Sequence, residues 1–385
     1  MAVRLRSEGL ITDAGILRGR EVLVEEGRVR GIVPEDRVLP GVRRITAPGL
    51  IAPGFVDIHT HGFNGVSFAD EKVDPEAVSE VGRQLHGHGV RAFLASFPSV
   101  APSTVERQIA RLAPLVGRRV PGHATLLGIH LEGPYLSVKN RGAHPIDLLR
   151  EPDVEETRRW LDVRPGVVRM MTLAPEKAGS PEVANLLQER RVVAAFGHSE
   201  ATYEETRSAL ASGFRHVTHL WNAMEGIHHR RPGAVSAILN DRTVTAELIA
   251  DGFHSDPAIL ALTLGMLGPD RTVLVTDAMQ AAGATDGLYR LGGQEVRVEG
   301  GVARTPEGHL AGSTLLLRRA AENLVGWGIC DVATAVHMAS RVPARVVGET
   351  EYGSFAVGSH FDPVVLDEKG QLLAWSGYAW EGDDR

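Results

Sequence analysis

Hydrophobic and polar positions fall into two regimes along the chain. At both ends they alternate with period two and are broken by turn residues. Examples are EVLVEEGRVRGIV (21–33), with Gly27 at the turn, VRRITAPGLIAPG (42–54) and GSFAVGSHFDPVVLDEKGQLLAWS (353–376). Such alternation predicts short, half-buried strands. In the middle, short apolar runs at 54–61, 90–97, 124–133, 167–175, 191–199, 214–220, 244–252 and 271–279 alternate with helical stretches such as 74–89 and 104–116. Eight strands separated by helices predict an α/β fold of the (β/α)8 TIM-type barrel class. A doubly wound sheet is the alternative, but no GxGxxG follows the first run. The Gly-rich stretch 283–312 lacks the Lys-Ser/Thr of a phosphate-binding loop and predicts hairpins. No internal repeat or low-complexity tract interrupts the pattern.

Barrel active sites lie at the C-terminal ends of the strands, and polar residues recur there. In the first run Asp57, His59 and His61 share one parity, which directs both histidines into the barrel mouth. In the third, Gly128, His130 and Glu132 share a face, with Glu132 last. The fifth ends at His198, in the parity of Ala194 and Phe196. The sixth ends at His219, aligned with Val217, which leaves His216 facing the helices or capping the strand. In the eighth, Val273, Val275 and Asp277 share a face, leaving Asp277 as a free carboxylate at the mouth. Each of these residues taken singly is more often structural. Their coincidence at one end of one barrel points to a metal-assisted hydrolase of an amide or ester, with Asp277 as general base and acid.

Composition narrows the chemistry. The 385 residues carry 41 Lys+Arg against 48 Asp+Glu, a net charge of −7, with 16 His and 1 Cys. A single thiol, Cys330, rules out a disulfide-stapled scaffold and leaves imidazole and carboxylate as metal ligands. Zn²⁺ suits such ligands, with Fe²⁺ next. Cys330 falls in a helical segment past the last strand, as a small core residue. No Lys/Arg block supports nucleic-acid or membrane-surface binding. No targeting or membrane-spanning segment is apparent, so the expected location is cytoplasmic.

The segment PGFVDIHTHG (53–62) resembles the opening signature of the amidohydrolase superfamily. More narrowly, GIHLEGPYLSVKNRGAHP (128–145), FGHSEATYEE (196–205), HVTHLWNAMEGIHHRRPG (216–233), LIADGFHSDP (248–257), LVTDAMQAAG (274–283) and LAGST (310–314) resemble the N-acetylglucosamine-6-phosphate deacetylase family. The resemblance implies a small β-sandwich from both termini, giving 1–50 and 346–385 as sandwich and 51–345 as barrel. It implies that Glu132, His198 and His219 hold the main metal, with His59 and His61 as ligands of a second, hence one or two ions per subunit. Asp277 becomes the catalytic carboxylate, and His254 touches the sugar and the reacting carbonyl. Ala143 and His144 lie beside the substrate, Asn222 and Ala223 serve the 6-phosphate with Arg230, and Leu310, Ala311 and Gly312 form a wall of the sugar pocket.

The implied reaction is hydrolysis of the acetamide of a phosphorylated N-acetyl amino sugar, N-acetylglucosamine 6-phosphate first. The galacto epimer, another amide, and a non-catalytic barrel are the alternatives; against the last, no ligand is missing. The family also implies a homodimer in which Arg230 reaches the neighbouring site. Here Arg230-Arg231-Pro232-Gly233 stands where the family often has Arg-Glu-Pro-Gly. The remaining histidines, among them His86, His88, His216, His309, His337 and His360, are expected to be structural or solvent-facing.

Overall fold

The computed structural model describes residues 2–374. The predicted pattern at 353–376 and the terminal segment 346–385 extend beyond them. Eight strands run in chain order: β1 (Phe55–Thr60), β2 (Val90–Phe97), β3 (Thr125–Glu132), β4 (Val168–Leu173), β5 (Val193–Phe196), β6 (His216–Val217), β7 (Thr245–Leu248) and β8 (Thr272–Leu274). Among the described residues they form one parallel sheet in which each strand pairs with its sequence neighbours. Two backbone hydrogen bonds join its ends: Asp277 N–H to the His59 carbonyl (2.9 Å) and His61 N–H to that of Ala278 (2.7 Å). The sheet is therefore closed into the predicted barrel. Both faces are covered, so β2 and β3 are buried at every residue, which is why they read as continuous apolar runs.

A helix follows each strand: α1 (Pro75–Gly87), α2 (Pro102–Leu112), α3 (Val154–Val163), α4 (Ser180–Glu189), α5 (Tyr203–Ala211), α6 (Gly233–Asn240), α7 (Pro257–Leu267) and α8 (Leu317–Gly326). Start signals are written locally. Asp74, Asp153 and Asp256 accept backbone N–H bonds at the first turns of α1, α3 and α7. Thr202 and Glu205 form a reciprocal capping box on α5.

The termini build two further four-stranded sheets. One orders Arg28–Pro34, Arg20–Glu25, Ala2–Arg6 and Arg43–Thr46; the other Pro363–Leu366, Leu50–Pro53, Gly9–Thr12 and Gly15–Leu17. They share a small core that includes Leu5, Leu10, Val22, Ile51, Phe361 and Val365, a sandwich drawn from both ends of the chain. The 20–34 hairpin turns at Glu26 and Gly27, both at positive φ (50° and 71°), as a two-residue turn of matching twist requires. A half-buried clasp ties sandwich to barrel: Arg91 meets Asp362 at 2.5 Å, His86 meets it at 3.1 Å, and Arg91 donates to the Pro363 carbonyl.

After β8 the Gly-rich stretch forms the expected hairpins, Gly287–Leu291, Gln294–Glu299 and Val302–Arg304. They pack through Val296, Val298 and Ala303 on Met279 and Ala311, with Ala143 against the cluster, and so lean on the mouth. Cys330 differs from expectation: it lies half-buried in the turn after α8, before the helix Val332–Ala339. Burial pushes its thiol up to about 12.

Candidate metal centre and substrate pocket

Two groups of ligating side chains meet at the mouth: Glu132, His198 and His219; and His59, His61 and Asp277, all buried. In the first, His198 Nε2 and His219 Nε2 lie 3.1 and 3.0 Å from Glu132 Oε1 and 3.0 Å from each other. In the second, Asp277 Oδ1 lies 3.1 Å from His61 Nε2 and 3.3 Å from His59 Nε2, which are 3.2 Å apart. Glu132 Oε2 stands 3.3 Å from His61 Nε2, so the groups adjoin.

Tautomers decide what these contacts mean. His198 Nδ1 donates to the Asn140 carbonyl (2.9 Å), His61 Nδ1 to that of Ser96 (3.2 Å) and His59 Nδ1 to the Glu247 carboxylate (2.9 Å). Each acceptor takes the ring proton, so in the neutral rings three Nε2 lone pairs point at carboxylate oxygens and at one another. Converging lone pairs need a cation between them. Ligand atoms around a tetrahedral Zn²⁺ stand about 3.3 Å apart, close to the observed spacings. The donor set therefore fits a divalent cation.

Electrostatics agree. Burial alone would raise the Glu132 carboxyl, but His59 and the facing His144, His198 and His219 hold it well below its usual range. Burial likewise opposes ionisation of Asp277, and His59 and His61 reverse the balance and lower it. His61 rises against burial to about 9, held by Asp277 and Glu132. His198 is lowered by burial to about 4.

The predicted strand-end residues do meet at the mouth, but simple alternation is not what brings them there. His198, His219 and Asp277 all have left-handed backbones, with φ of 49°, 29° and 48°. A Cβ on Gly197 would meet Thr172 Cγ2 at 2.7 Å and Thr218 Cβ at 3.0 Å, and Thr172 hydrogen-bonds Thr218 (2.7 Å). Positions 197 and 218 thus face the interior, and alternation would turn His198 and His219 outward. The left-handed residue brings each back, at a cost of about 1–2 kcal/mol. In β1 an extra residue between Asp57 and Thr60 opposes Phe93–Ala95. That bulge takes Asp57 out of the inward set: it accepts from Thr276 Oγ1 (2.6 Å) and faces Leu85 of α1 and Leu317 of α8. Burial pushes Asp57 up to about 6. His216 also departs from expectation, lying inside the barrel with Nε2 3.1 Å from Glu247.

Above the ligands opens a cavity of about 390 Å³. Of the residues expected in the site, Ala143, His144, Asn222, Ala223, His254, Leu310 and Gly312 line it, together with His61, Glu132, His198, His219 and Asp277. His59 lies beneath them at 0% exposure, and Ala311 is buried behind the wall. Arg230 stands on the exposed loop 226–232, outside this chain's own cavity. Sequence reasoning missed Lys139, Asn140, Arg141 and His309, which also line the cavity. It missed Asp251, whose carboxylate accepts the His254 amide (2.9 Å) and Nδ1–H (2.7 Å), fixing that ring. His144 Nδ1 accepts the Ser99 amide (3.1 Å), so its proton sits on Nε2, 3.4 Å from Glu132.

Comparison with known proteins places this geometry. The amidohydrolase family model matches residues 50–379. An N-acetylgalactosamine-6-phosphate deacetylase of Escherichia coli O157:H7 is 38% identical, covering 94% of each chain. The human N-acetylglucosamine-6-phosphate deacetylase is 35% identical over 97% of this chain and 95% of its own. The solved structure of a variant N-acetyl-D-glucosamine-6-phosphate deacetylase from Mycobacterium smegmatis, in complex with N-acetyl-D-glucosamine-6-phosphate, superposes with a TM-score of 0.88 at 36% identity, covering 96% of each chain. The chain belongs to the amidohydrolase family.

Proposed function

We propose that the protein hydrolyses the acetamide of N-acetylglucosamine 6-phosphate, giving acetate and glucosamine 6-phosphate. The observation that carries this reading is the Glu132–His198–His219 group beside Asp277 in a cavity of about 390 Å³, within the roughly 300–1,000 Å³ of small-ligand sites. The deacetylase names of the relatives above support the substrate class. Zn²⁺, with Fe²⁺ as the alternative, is held by Glu132, His198 and His219, and a second ion by His59, His61 and Asp277. A divalent cation bound there supplies Lewis acidity, acidifying a water and polarising a carbonyl oxygen.

The chain's own groups do the rest. Asp277, kept ionised by its neighbours, takes a proton from the attacking water and passes it to the departing amine. His144, with its proton on Nε2, donates to the oxyanion as the carbonyl becomes tetrahedral. His254, held by Asp251, presents Nε2 to the sugar. Asn222 and Ala223 bind the 6-phosphate through their backbone. Arg230, exposed and outside its own cavity, reaches the phosphate of a neighbouring subunit in a homodimer, and the protein acts in the cytoplasm.

The 38% identical Escherichia coli relative gives the galacto epimer a place as second reading. An acetate-release assay on N-acetylglucosamine 6-phosphate, its galacto epimer and the unphosphorylated sugar, with metal analysis of the same preparation, tests both. Acetate from the gluco phosphate first supports the proposal; no acetate from any of the three overturns it. Arg230→Ala is expected to raise KM for the phosphorylated sugar far more than for the free one.

A further inference from the structure

Glu247 is the one charged residue of β7 and is fully buried. An ionised carboxylate inside a barrel is costly unless its lone pairs are filled, and these are. Oε2 accepts from His59 Nδ1–H (2.9 Å) and from the His219 backbone N–H (3.0 Å), while Oε1 lies 3.1 Å from His216 Nε2. His216 is steadied in turn by Thr245 Oγ1 at 2.7 Å. One carboxylate therefore grips, from behind, a member of each ligand group: the ring of His59 in one and the backbone of His219 in the other. An apolar residue would fill this place without the desolvation cost, so packing does not account for a carboxylate here.

We infer that Glu247 is a positioning residue for the cation centre, and chiefly for the ion held by His59, His61 and Asp277. It fixes the His59 proton on Nδ1, which leaves the Nε2 lone pair aimed at His61 and Asp277, and its charge makes that imidazole a stronger donor. Through the His219 amide it also sets the distance between the two groups. His216 serves as the outer support of Glu247, which gives the sixth-strand histidine a role one step removed from the metal. The inference rests on the cation-binding reading above and is independent of which amide is hydrolysed.

The test uses purified, metal-loaded protein in three forms: wild type, Glu247→Gln and Glu247→Leu. Ions per subunit are counted by mass spectrometry after dialysis against a graded series of chelator concentrations, with circular dichroism and melting alongside. Gln keeps an acceptor for His59 and the fold but loses the charge. Glu247→Gln is expected to keep the more tightly held ion within about threefold of wild type and to release the other about 10–100-fold more readily. Glu247→Leu, with no acceptor for His59, is expected to lose the second ion outright. If the Leu variant does not fold, the Gln variant decides alone. Two ions held by Glu247→Gln as tightly as by wild type, equal weakening of both ions, or a wild type that holds a single ion would each overturn the inference. Acetate release by wild type is scored separately, so a failed deacetylase reading and a failed role for Glu247 give different results.

Discussion

Metal uptake by this protein is expected to release protons, because several of the candidate ligand rings are held protonated. His61 spends Nδ1–H on the Ser96 carbonyl, while its Nε2 faces Asp277 Oδ1 at 3.1 Å and Glu132 Oε2 at 3.3 Å. Two carboxylate acceptors there call for a proton, and the ring's pKa is raised to about 9. His59 is likewise raised well above its ordinary value, Glu247 leading the carboxylates that overcome its burial. His198, lowered to about 4, is neutral. A cation needs the lone pairs, so the protons on His59 and His61 leave when it binds, and His219, raised against its burial by Glu132, adds to them, giving about two or more per subunit near neutral pH. At about pH 7.5, removing the His61 proton alone costs about 2 kcal/mol, at about 1.4 kcal/mol per pH unit. Because protons leave on binding, higher pH favours it: apparent affinity rises about tenfold per pH unit for each proton released, until pH passes about 9. Calorimetric titration of metal-free protein with Zn²⁺ in two buffers of different ionisation enthalpy reads the proton count directly. Equal heats in both buffers, or an affinity flat between about pH 6.5 and 8.5, would refute the protonation of His59 and His61.

Other perturbations separate the remaining roles. Asp277→Asn is expected to abolish turnover while the Glu132–His198–His219 ion stays bound; loss of that ion in metal analysis would mean a ligand had been mistaken for a base. Gly197→Ala sets a methyl 2.7 Å from Thr172 Cγ2. It is expected to cost about 1–3 kcal/mol by overpacking and to lower cation content by shifting His198; unchanged melting and metal content would contradict the inward placing of position 197. Asp362→Asn breaks the clasp with Arg91 and His86 and is expected to cost about 3 kcal/mol near neutral pH, the low end for a buried pair because Asp362 is partly exposed. Arg91 and His86 hold the Asp362 carboxyl below its usual range against its burial. Its contribution is therefore complete above the ordinary Asp value of about 3.9 and fades as pH falls through the lower folded value. Denaturation of wild type and variant at several pH values is expected to show the gap closing only in acid.

Much of this was legible in the chain, because barrel strands write their own pattern. Eight apolar runs spaced by helical stretches gave the barrel, and turn residues such as Gly27 gave the terminal hairpins. The candidate ligands were legible because His and Glu at strand ends are conspicuous among Val, Leu and Ala. What stayed hidden depends on single backbone torsions and on register. Nothing in FGHS or VTHL announces that His198 and His219 are left-handed, so parity placed Phe196 and Val217 on the wrong face. The bulge that turns Asp57 away from His59 is equally silent. Glu247 carried a readable signal, an acidic residue set between Ala246 and Leu248 in the strand stretch 244–250, yet its partners His59 and His216 are distant in sequence. His309, expected to be structural or solvent-facing, lines the cavity because the hairpins after β8 fold back over the mouth. Arg141, Lys139 and Asn140 arrive there through the irregular loop after β3, where neither helical nor strand periodicity operates.

The closing seam of the barrel has a consequence for cooperativity. β1 and β8 are the ends of the sheet, and the backbone bonds that join their extensions come from His59, His61, Asp277 and Ala278. Three of those four residues belong to one ligand group. An ion held there fastens segments more than two hundred residues apart in sequence, acting as the last cross-link of a ring whose other seven joints are strand ladders. Chelation then does more than remove a reagent: it leaves this joint to a few backbone bonds and the Asp57–Thr276 pair. Local opening would begin at this joint, beside the residues that must stay in register for chemistry. Integrity of the barrel and competence of the site are, at this seam, one equilibrium.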